Sequence, residues 1–177
     1  MKWIGISLFA LVLMAIAICP ALAGERVAFV VSIEEYEQMP LQTPVKDSFA
    51  MVRVLKSMGW DTIHFTNSDH KKLSLALDQF FEKAQNADAT LFYFGGHGVA
   101  HKEDIFLLPL EAKILDESDL GFESFSLNNI MAQMAEAPLV PNMFFIDICK
   151  GQHPFVDQIP ESAAEVILIP AVQDNQF

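Results

Sequence analysis

A histidine and a cysteine in this sequence have the residue types and the settings that nucleophilic catalysis requires. His97 follows an apolar run at 91–94 inside the segment Gly95-Gly96-His97-Gly98, and Cys149 comes shortly after an apolar run at 143–146. A thiol attacks a peptide carbonyl efficiently only as the thiolate, and a nearby imidazole favours that form and later protonates the leaving amine. The two residues therefore predict acyl-transfer chemistry, with Cys149 as the nucleophile and His97 as the base that activates it.

The glycines that flank His97 fit the same chemistry. A glycine lets the backbone approach a substrate closely, and the backbone amides of Gly98 and Cys149 are candidate donors to the oxyanion that forms during attack. Each residue also has a simpler explanation. A histidine beside glycines is often a loop residue, and a lone cysteine at a strand end is often a small core residue. The catalytic interpretation therefore depends on the two residues lying together.

Two buried strands must bring together residues that are 52 positions apart in the chain. Residues 91–94 and 143–146 are continuously apolar, which is typical of strands covered on both faces. If these strands are parallel neighbours, His97 and Cys149 emerge side by side at one edge of the sheet. Ligands of such sheets gather beyond the carboxyl ends of the strands.

The other elements predict a three-layer α/β domain with a mainly parallel central sheet. A β-rich apolar run at 27–31 predicts the first strand, and Asn67-Ser68-Asp69 offers caps for a helix. Strands are also predicted at 62–65, 89–94, 105–108, 143–148 and 166–169, and a helix at 127–135. Helical spacing predicts buried faces at Val45, Phe49, Val52, Leu55 and Met58, and at Leu73, Ala76, Leu77, Phe80 and Phe81. Strand-helix alternation of this kind is typical of a largely parallel sheet covered by helices.

The first 23 residues are typical of a secretory signal peptide that is cut after Ala23. Lys2 precedes an apolar run at 3–18, and a small-x-small triplet ends the segment. The alternative is a membrane anchor, but the run is short of the roughly 20 residues that a spanning helix needs. We therefore expect an exported protein, periplasmic or secreted, with one domain at residues 24–177.

Charge and cysteine content narrow the classes of partner. Loss of Lys2 with the signal peptide changes the formal net charge from −12 to −13, and the sequence has no basic stripe. This acidity disfavours nucleic acid as a partner and favours cationic peptides. Cys19 would leave with the signal peptide, so Cys149 would be the one cysteine of the exported domain and no internal disulfide would form.

Four segments of the sequence resemble the bacterial caspase-like and metacaspase-like domains of the caspase superfamily. They are Arg26-Val27-Ala28-Phe29-Val30-Val31 with Tyr36, Pro44-Val45-Lys46-Asp47-Ser48, Leu91-Phe92-Tyr93-Phe94-Gly95-Gly96-His97-Gly98, and Phe145-Ile146-Asp147-Ile148-Cys149-Lys150 with Pro154-Phe155. The order and spacing of the four segments along the chain are also similar to those in that family. The resemblance implies a caspase-like fold and hydrolysis of peptide bonds through an acyl-enzyme. It also implies that His97 and Cys149 form the dyad, with no metal or organic cofactor in the chemical step.

Substrate preference follows from the same resemblance. In relatives that cleave after Arg or Lys, acids matching Asp47 and Asp147 line the primary pocket, which implies a peptide or protein substrate with a basic residue before the cleaved bond. A carboxylate pair holds a guanidinium through charge-assisted hydrogen bonds and repels an aspartate. Asp47 also has a structural explanation, because an acid stabilises a helix N-terminus.

The sequence departs from the family pattern in two places. Ser32-Ile33 and Thr43 stand where relatives usually have Gly-Asn and Asn, which puts the alignment of substrate in doubt. Family catalytic domains normally continue past the strand matching 166–169 into a small-subunit-like part. Most of that part is expected to be missing here, and a partner chain is expected to be able to complete the sheet edge. The alternative function is a catalytically weak caspase-like module that binds peptides or pairs with a fuller homologue.

Metal binding receives little support from the sequence. His64, His70, His101 and His153 have no recognisable metal spacing and are predicted to be surface or loop residues. Glu34-Glu35 and Asp116-Glu117-Ser118-Asp119 leave calcium as an alternative to solvated loops. A nucleotide-binding function is disfavoured because no glycine-rich phosphate loop follows the first strand.

Overall fold

The computed structural model describes residues 24–136, 140–150 and 166–168, of which 149, 150 and 166–168 are described by their backbone. The strands are β1 (Arg26–Ser32), β2 (Asp61–Thr66), β3 (Ala89–His101), β4 (Asp104–Leu107), β5 (Phe125–Ser126), β6 (Asn142–Lys150) and β7 (Val166–Leu168). The helices are α1 (Pro44–Ser57), α2 (His70–Ala84), α3 (Leu120–Glu123) and α4 (Leu127–Ala135), with a 3₁₀ turn at Glu117–Asp119. Within these ranges no helix has the length and apolar character needed to cross a membrane. The predicted signal peptide, residues 151–165 and residues 169–177 lie outside the described residues.

The described strands form a single mixed sheet. Strands β2, β1, β3 and β6 are consecutive parallel neighbours and make up its centre. The shorter β4 and β5 pair antiparallel where β3 extends beyond β1, and β7 pairs antiparallel with β6. The predicted α/β class with a parallel central sheet is confirmed, with antiparallel strands added at its rim.

Side chains alternate across the sheet and fill a separate core on each face. On one face Phe29 stacks against Phe92 with ring centroids 5.6 Å apart, and α2 covers them through Phe80. On the other face Val30 packs in a second cluster with Leu55 of α1. Helices therefore lie on both sides of the sheet, which gives the three layers that the sequence predicts.

Helix α1 buries only part of the face that its apolar spacing predicts, since Val52 and Leu55 are buried but Phe49 is not. Phe49 and Met58 are 53% and 54% exposed, whereas Ser48 is fully buried. Ser48 takes the inner position because its hydroxyl is hydrogen-bonded to the Ser32 hydroxyl at 2.8 Å. Phe49 packs edge-on against His64 instead, with ring centroids 4.8 Å apart. The buried positions of α1 are Pro44, Ser48, Val52 and Leu55.

Helix α2 follows its predicted pattern closely. Its N-cap is Asp69, whose carboxylate accepts a hydrogen bond from the Lys72 amide at 2.8 Å. Hydrogen bonds from Lys72 hold the pKa of the Asp69 carboxyl below its usual value. The buried residues of the helix are Leu73, Ala76, Leu77, Phe80 and Ala84, and the predicted Phe81 is half-buried.

Strand β3 continues past the glycines where the sequence predicts that it ends. The predicted strand stops at Phe94, but β3 runs to His101 because its second half pairs with β6 on one side and β4 on the other. At Gly98 a Cβ would lie 2.8 Å from Ile148 Cδ1, so a larger residue there requires the Ile148 side chain to move. This glycine therefore fits a close approach within the sheet rather than a turn.

Candidate active site

The carboxyl ends of β3 and β6 bring the predicted histidine and cysteine into register. In the parallel ladder Gly95 lies opposite Asp147, and His97 lies opposite Cys149. The predicted neighbourhood of the two strands is therefore confirmed. The catalytic roles of His97 and Cys149 stay predictions, because register alone does not define side-chain chemistry.

The imidazole of His97 is buried and held by two neighbours. It lies against the Tyr36 ring with centroids 4.4 Å apart, and its Nε2 lies 2.7 Å from the carbonyl oxygen of Met39. A carbonyl oxygen can only accept a hydrogen bond, so Nε2 carries the hydrogen. The neutral ring then has its lone pair on Nδ1, and Nδ1 is the nitrogen that can act as a base.

The hydroxyl of Tyr36 joins three segments around His97. It donates a hydrogen bond to the carbonyl of Leu108 at 2.8 Å and accepts one from the backbone amide of His97 at 2.9 Å. The amide of Leu108 in turn donates to the carbonyl of His97 at 3.0 Å. The chain after β1, the glycine segment of β3 and the chain after β4 are therefore fixed to one another.

Met39 has an unusual backbone conformation at the point where it contacts His97. Its φ of 59° lies in the left-handed region, which non-glycine residues rarely adopt. Strain of this kind persists only where the surroundings enforce it, and such residues cluster at functional sites. The sequence gives no sign of this, because a methionine is not a residue type that favours the left-handed region.

The two predicted specificity acids lie at the same end of the sheet as His97. Asp47 is in the first turn of α1 and is exposed, and Asp147 is a half-buried residue of β6 opposite Gly95. The first turn of α1 lies over that point, since a Cβ at Gly95 would be 3.6 Å from the Cβ of Pro44. The geometry is compatible with a shared acidic pocket, and the role of both acids stays a prediction.

A departure from the family pattern, Ser32, takes part in a buried hydrogen-bonded chain next to Asp47. Its hydroxyl contacts that of Ser48, and the Ser48 oxygen lies 3.0 Å from Nε2 of His64. Burial, with a smaller effect from the charge of Lys56, lowers the pKa of His64. A neutral His64 therefore joins the edge strand β2 to the first turns of α1, as a half-buried strand residue and not a loop residue.

The predicted oxyanion donors lie within paired strands. Gly98 belongs to the ladders that β3 forms with both β4 and β6, and Cys149 belongs to the ladder of β6 with β3. The predicted oxyanion hole formed by Gly98 and Cys149 stays a prediction.

A cleft of about 870 Å³ opens beside His97. One wall is the segment 35–39 that follows β1, and the other is formed by 108 and 110–115 after β4. Apolar side chains of Leu108, Leu110 and Ile114 contribute to its lining together with exposed acidic residues. The cleft was not predicted from the sequence, because neither segment contains a catalytic motif.

His70, His101 and the acidic cluster Asp116-Glu117-Ser118-Asp119 have local structural partners. His70 stacks on Phe125 with centroids 4.4 Å apart, and His101 contacts a carboxylate oxygen of Glu117 at 3.0 Å. Asp116 and its neighbour Asp119 form a capping box at the 3₁₀ turn. Among the described residues no group of three or more His, Cys, Asp or Glu side chains is arranged to hold a metal ion. His153 lies outside the described residues, and calcium binding stays an alternative prediction.

The packing around Tyr36 predicts opposite outcomes for two glycine-to-alanine substitutions. A Cβ at Gly96 would lie 2.7 Å from the Tyr36 hydroxyl, whereas a Cβ at Gly121 would meet no atom within 4 Å. Gly96→Ala must displace a hydroxyl that holds two buried hydrogen bonds, so we expect a loss of about 1–3 kcal/mol in the free energy of unfolding. Gly121→Ala should leave stability nearly unchanged. Urea denaturation measures both, and equal midpoints for the two variants would contradict this account of the site.

Known proteins resemble this chain in sequence and in fold. The chain is 24% identical over 140 residues to human mucosa-associated lymphoid tissue lymphoma translocation protein 1, and the aligned part is 78% of this chain. The mouse homologue is similar to the same extent. The alignments span 17% and 16% of the length of these relatives.

A solved structure and a family model extend the comparison. The Drosophila initiator caspase Dronc superposes with a TM-score of 0.52 at 10% identity, over 69% of this chain and 54% of that one, which supports a shared fold. The caspase domain model matches residues 25–176. Since that match covers most of the sequence, the chain belongs to the caspase domain family, a family of cysteine peptidases.

Proposed function

We propose that this protein is a cysteine endopeptidase that hydrolyses peptide bonds after Arg or Lys with Cys149 and His97 as its dyad. The observation that carries the proposal is the register of β3 and β6, which puts His97 opposite Cys149 at the carboxyl edge of the sheet. The orientation of the imidazole by Met39 supports it, because Nδ1 is then the basic nitrogen.

In the first half of the proposed reaction, the Cys149 thiolate attacks the carbonyl carbon of the substrate. The carbonyl oxygen becomes an oxyanion, for which the backbone amides of Gly98 and Cys149 are the proposed donors. The tetrahedral intermediate collapses when the C–N bond breaks and the protonated His97 gives its proton to the leaving amine. The products of this half are the free amine of the leaving segment and a thioester on Cys149.

The second half hydrolyses that thioester. Neutral His97 accepts a proton from a water molecule as the water oxygen attacks the thioester carbon. The second tetrahedral intermediate expels the Cys149 thiolate and releases a carboxylic acid, which returns the enzyme to its starting state. Neither half needs a metal ion or an organic cofactor.

The contacts of His97 fit this cycle of proton gain and loss. The Met39 carbonyl accepts from Nε2 in both the neutral and the protonated ring, so the ring need not rotate when Nδ1 gains a proton. A carbonyl dipole at this position also stabilises the imidazolium. Tyr36 and Met39 are therefore positioning residues in the proposal, since they hold the base without contacting the reacting atoms.

Specificity for a basic residue before the cleaved bond is attributed to Asp47 and Asp147. Both acids lie near the point where the first turn of α1 covers Gly95, close to the register position of Cys149. A guanidinium between two carboxylates gains charge-assisted hydrogen bonds, and an aspartate at the same place would be repelled. Export to the periplasm or the medium, and completion of the sheet edge by a partner chain, are further parts of the proposal.

The dyad is tested by single substitutions with a matched histidine control. Cys149→Ala and His97→Ala should each lower kcat/KM on fluorogenic Arg and Lys peptides by roughly a thousandfold or more. His101→Ala is the control, because His101 lies on the same strand near the hairpin to β4. It should keep most of the activity. Cleavage that survives Cys149→Ala would refute the dyad. No turnover of any Arg, Lys or Asp peptide by the unaltered protein would favour the peptide-binding module.

The acidic pocket is tested with arginine and its neutral isostere citrulline before the cleaved bond. Asp47→Asn and Asp147→Asn should each lower kcat/KM for the arginine peptide about tenfold or more, since hydrogen bonds to a charged group are lost. Turnover of the citrulline peptide should change little. Asp78→Asn, an exposed acid in the middle of α2, makes the same charge change elsewhere. An unchanged arginine preference in both pocket variants would show that the pocket is elsewhere.

A further inference from the structure

The cleft beside His97 has fixed walls. Tyr36 lies in the wall that follows β1 and donates its hydroxyl hydrogen to Leu108, which lies in the opposite wall. Both residues are also hydrogen-bonded to the backbone of His97. A backbone hydrogen bond also spans the wall that follows β1, because the amide of Leu41 donates to the carbonyl of Glu34 at 2.9 Å. Hydrogen bonds therefore join the two walls of the cleft to each other and to the backbone of His97.

The chemistry of peptide hydrolysis assigns a direction to this cleft, provided that the proposed function holds. The group that protonates the leaving amine must lie within hydrogen-bond reach of that nitrogen. If His97 has this role, the residues after the cleaved bond lie on the His97 side of the site. The cleft has His97 in its lining and is therefore on that side, whereas Asp47, in the first turn of α1, and Asp147 are not among its lining residues.

The charges of the cleft favour a positively charged ligand. Glu35, Glu37 and Glu111 line it and are exposed, and Lys113 is the one Lys or Arg among its described lining residues. Among the residues that the structure describes, none of these three glutamates is in an ion pair. Their carboxylates are therefore available to a cationic ligand.

The uncharged part of the lining fits the stems of long basic side chains. The accessible apolar residues of the lining are Met39, which is 43% exposed, Leu115, which is 78% exposed, and the half-buried Leu110. Lys and Arg bury their aliphatic stems on apolar surface while their charged heads reach toward polar groups. An apolar lining with carboxylates around it suits these side chains better than small polar or acidic ones.

We propose that this cleft binds the leaving segment of the substrate and selects peptides that carry Lys or Arg just after the cleaved bond. The selection is separate from that of Asp47 and Asp147, since it acts on the other side of the bond. The protein would accordingly favour cleavage within clusters of basic residues rather than at isolated ones.

Three internally quenched peptides test this, each with the same sequence up to an Arg before the cleaved bond. The two residues after the bond are Lys-Lys, Gln-Gln or Glu-Glu. We expect kcat/KM to fall in that order, with about a fivefold difference between the Lys and Gln peptides, as exposed charge pairs allow. The preference should weaken at high ionic strength because the glutamates are exposed.

Two triple variants with the same charge change separate the cleft from the overall field of the protein. Glu35→Gln, Glu37→Gln and Glu111→Gln together should remove the preference for the Lys peptide. The control combines Glu25→Gln, Glu82→Gln and Glu136→Gln. These exposed acids stand before β1, at the end of α2 and after α4, near the opposite edge of the sheet. The control should keep the preference.

The outcomes distinguish this inference from the proposed function. Cys149-dependent cleavage without a preference among the three peptides, or a preference that both triple variants lose equally, would overturn the cleft proposal and leave the peptidase proposal intact. If no peptide is cleaved, fluorescence anisotropy of the labelled Lys and Glu peptides on the Cys149→Ala protein decides. Tighter binding of the Lys peptide that only the cleft triple variant loses supports the cleft, and equal binding of the two peptides refutes it.

Discussion

Strands β3 and β6 pair in parallel from Thr90 opposite Asn142 to Gly98 opposite Lys150, and this long ladder sets the positions of His97, Asp147 and Cys149 relative to one another. A parallel ladder permits little local adjustment, because a shift of one residue would turn every side chain to the opposite face of the sheet. Phe92 and Phe144, which are in register, are both buried in the same core. The packing of the apolar cores therefore fixes the register of His97 and Cys149 at the end of the ladder.

The glycine segment of β3 makes that ladder compatible with the contacts around it. Side chains of neighbouring elements occupy the space where a Cβ at Gly96 or Gly98 would stand, namely the Tyr36 hydroxyl and the Ile148 side chain. Tyr36 can therefore reach the backbone of His97 and that of Leu108 at the same time. Tyr36, which positions the proposed base, also holds the two walls of the cleft beside His97 together. The cleft and the base are therefore one structural unit.

Sequence patterns predict most of the fold, and within the site they predict His97 and Cys149 but not the residues around them. Continuous apolar runs locate the strands because a doubly buried strand needs such runs, and the strand ends point to His97 and Cys149. Helical spacing is less reliable for α1, where a buried hydroxyl pair places Ser48 inward and Phe49 outward.

The features that escaped prediction depend on contacts between residues far apart in the chain. Tyr36 bonds to a carbonyl 72 residues away, and Met39 contacts His97 across 58 residues. The left-handed backbone of Met39 is enforced by its surroundings and not by its residue type. The cleft likewise exists only after two separate segments meet, so local periodicity and motif spacing contain no signal for it.

The central claim, that His97 activates Cys149, is tested most directly by the reactivity of the thiol itself. Iodoacetamide alkylation near pH 6.5, followed by mass spectrometry of the peptide that contains Cys149, measures the thiolate present. The account predicts that His97→Ala slows this alkylation about tenfold or more, while His101→Ala leaves it close to that of the unaltered protein. Equal alkylation rates in the unaltered protein and in His97→Ala would contradict the pairing of the two residues.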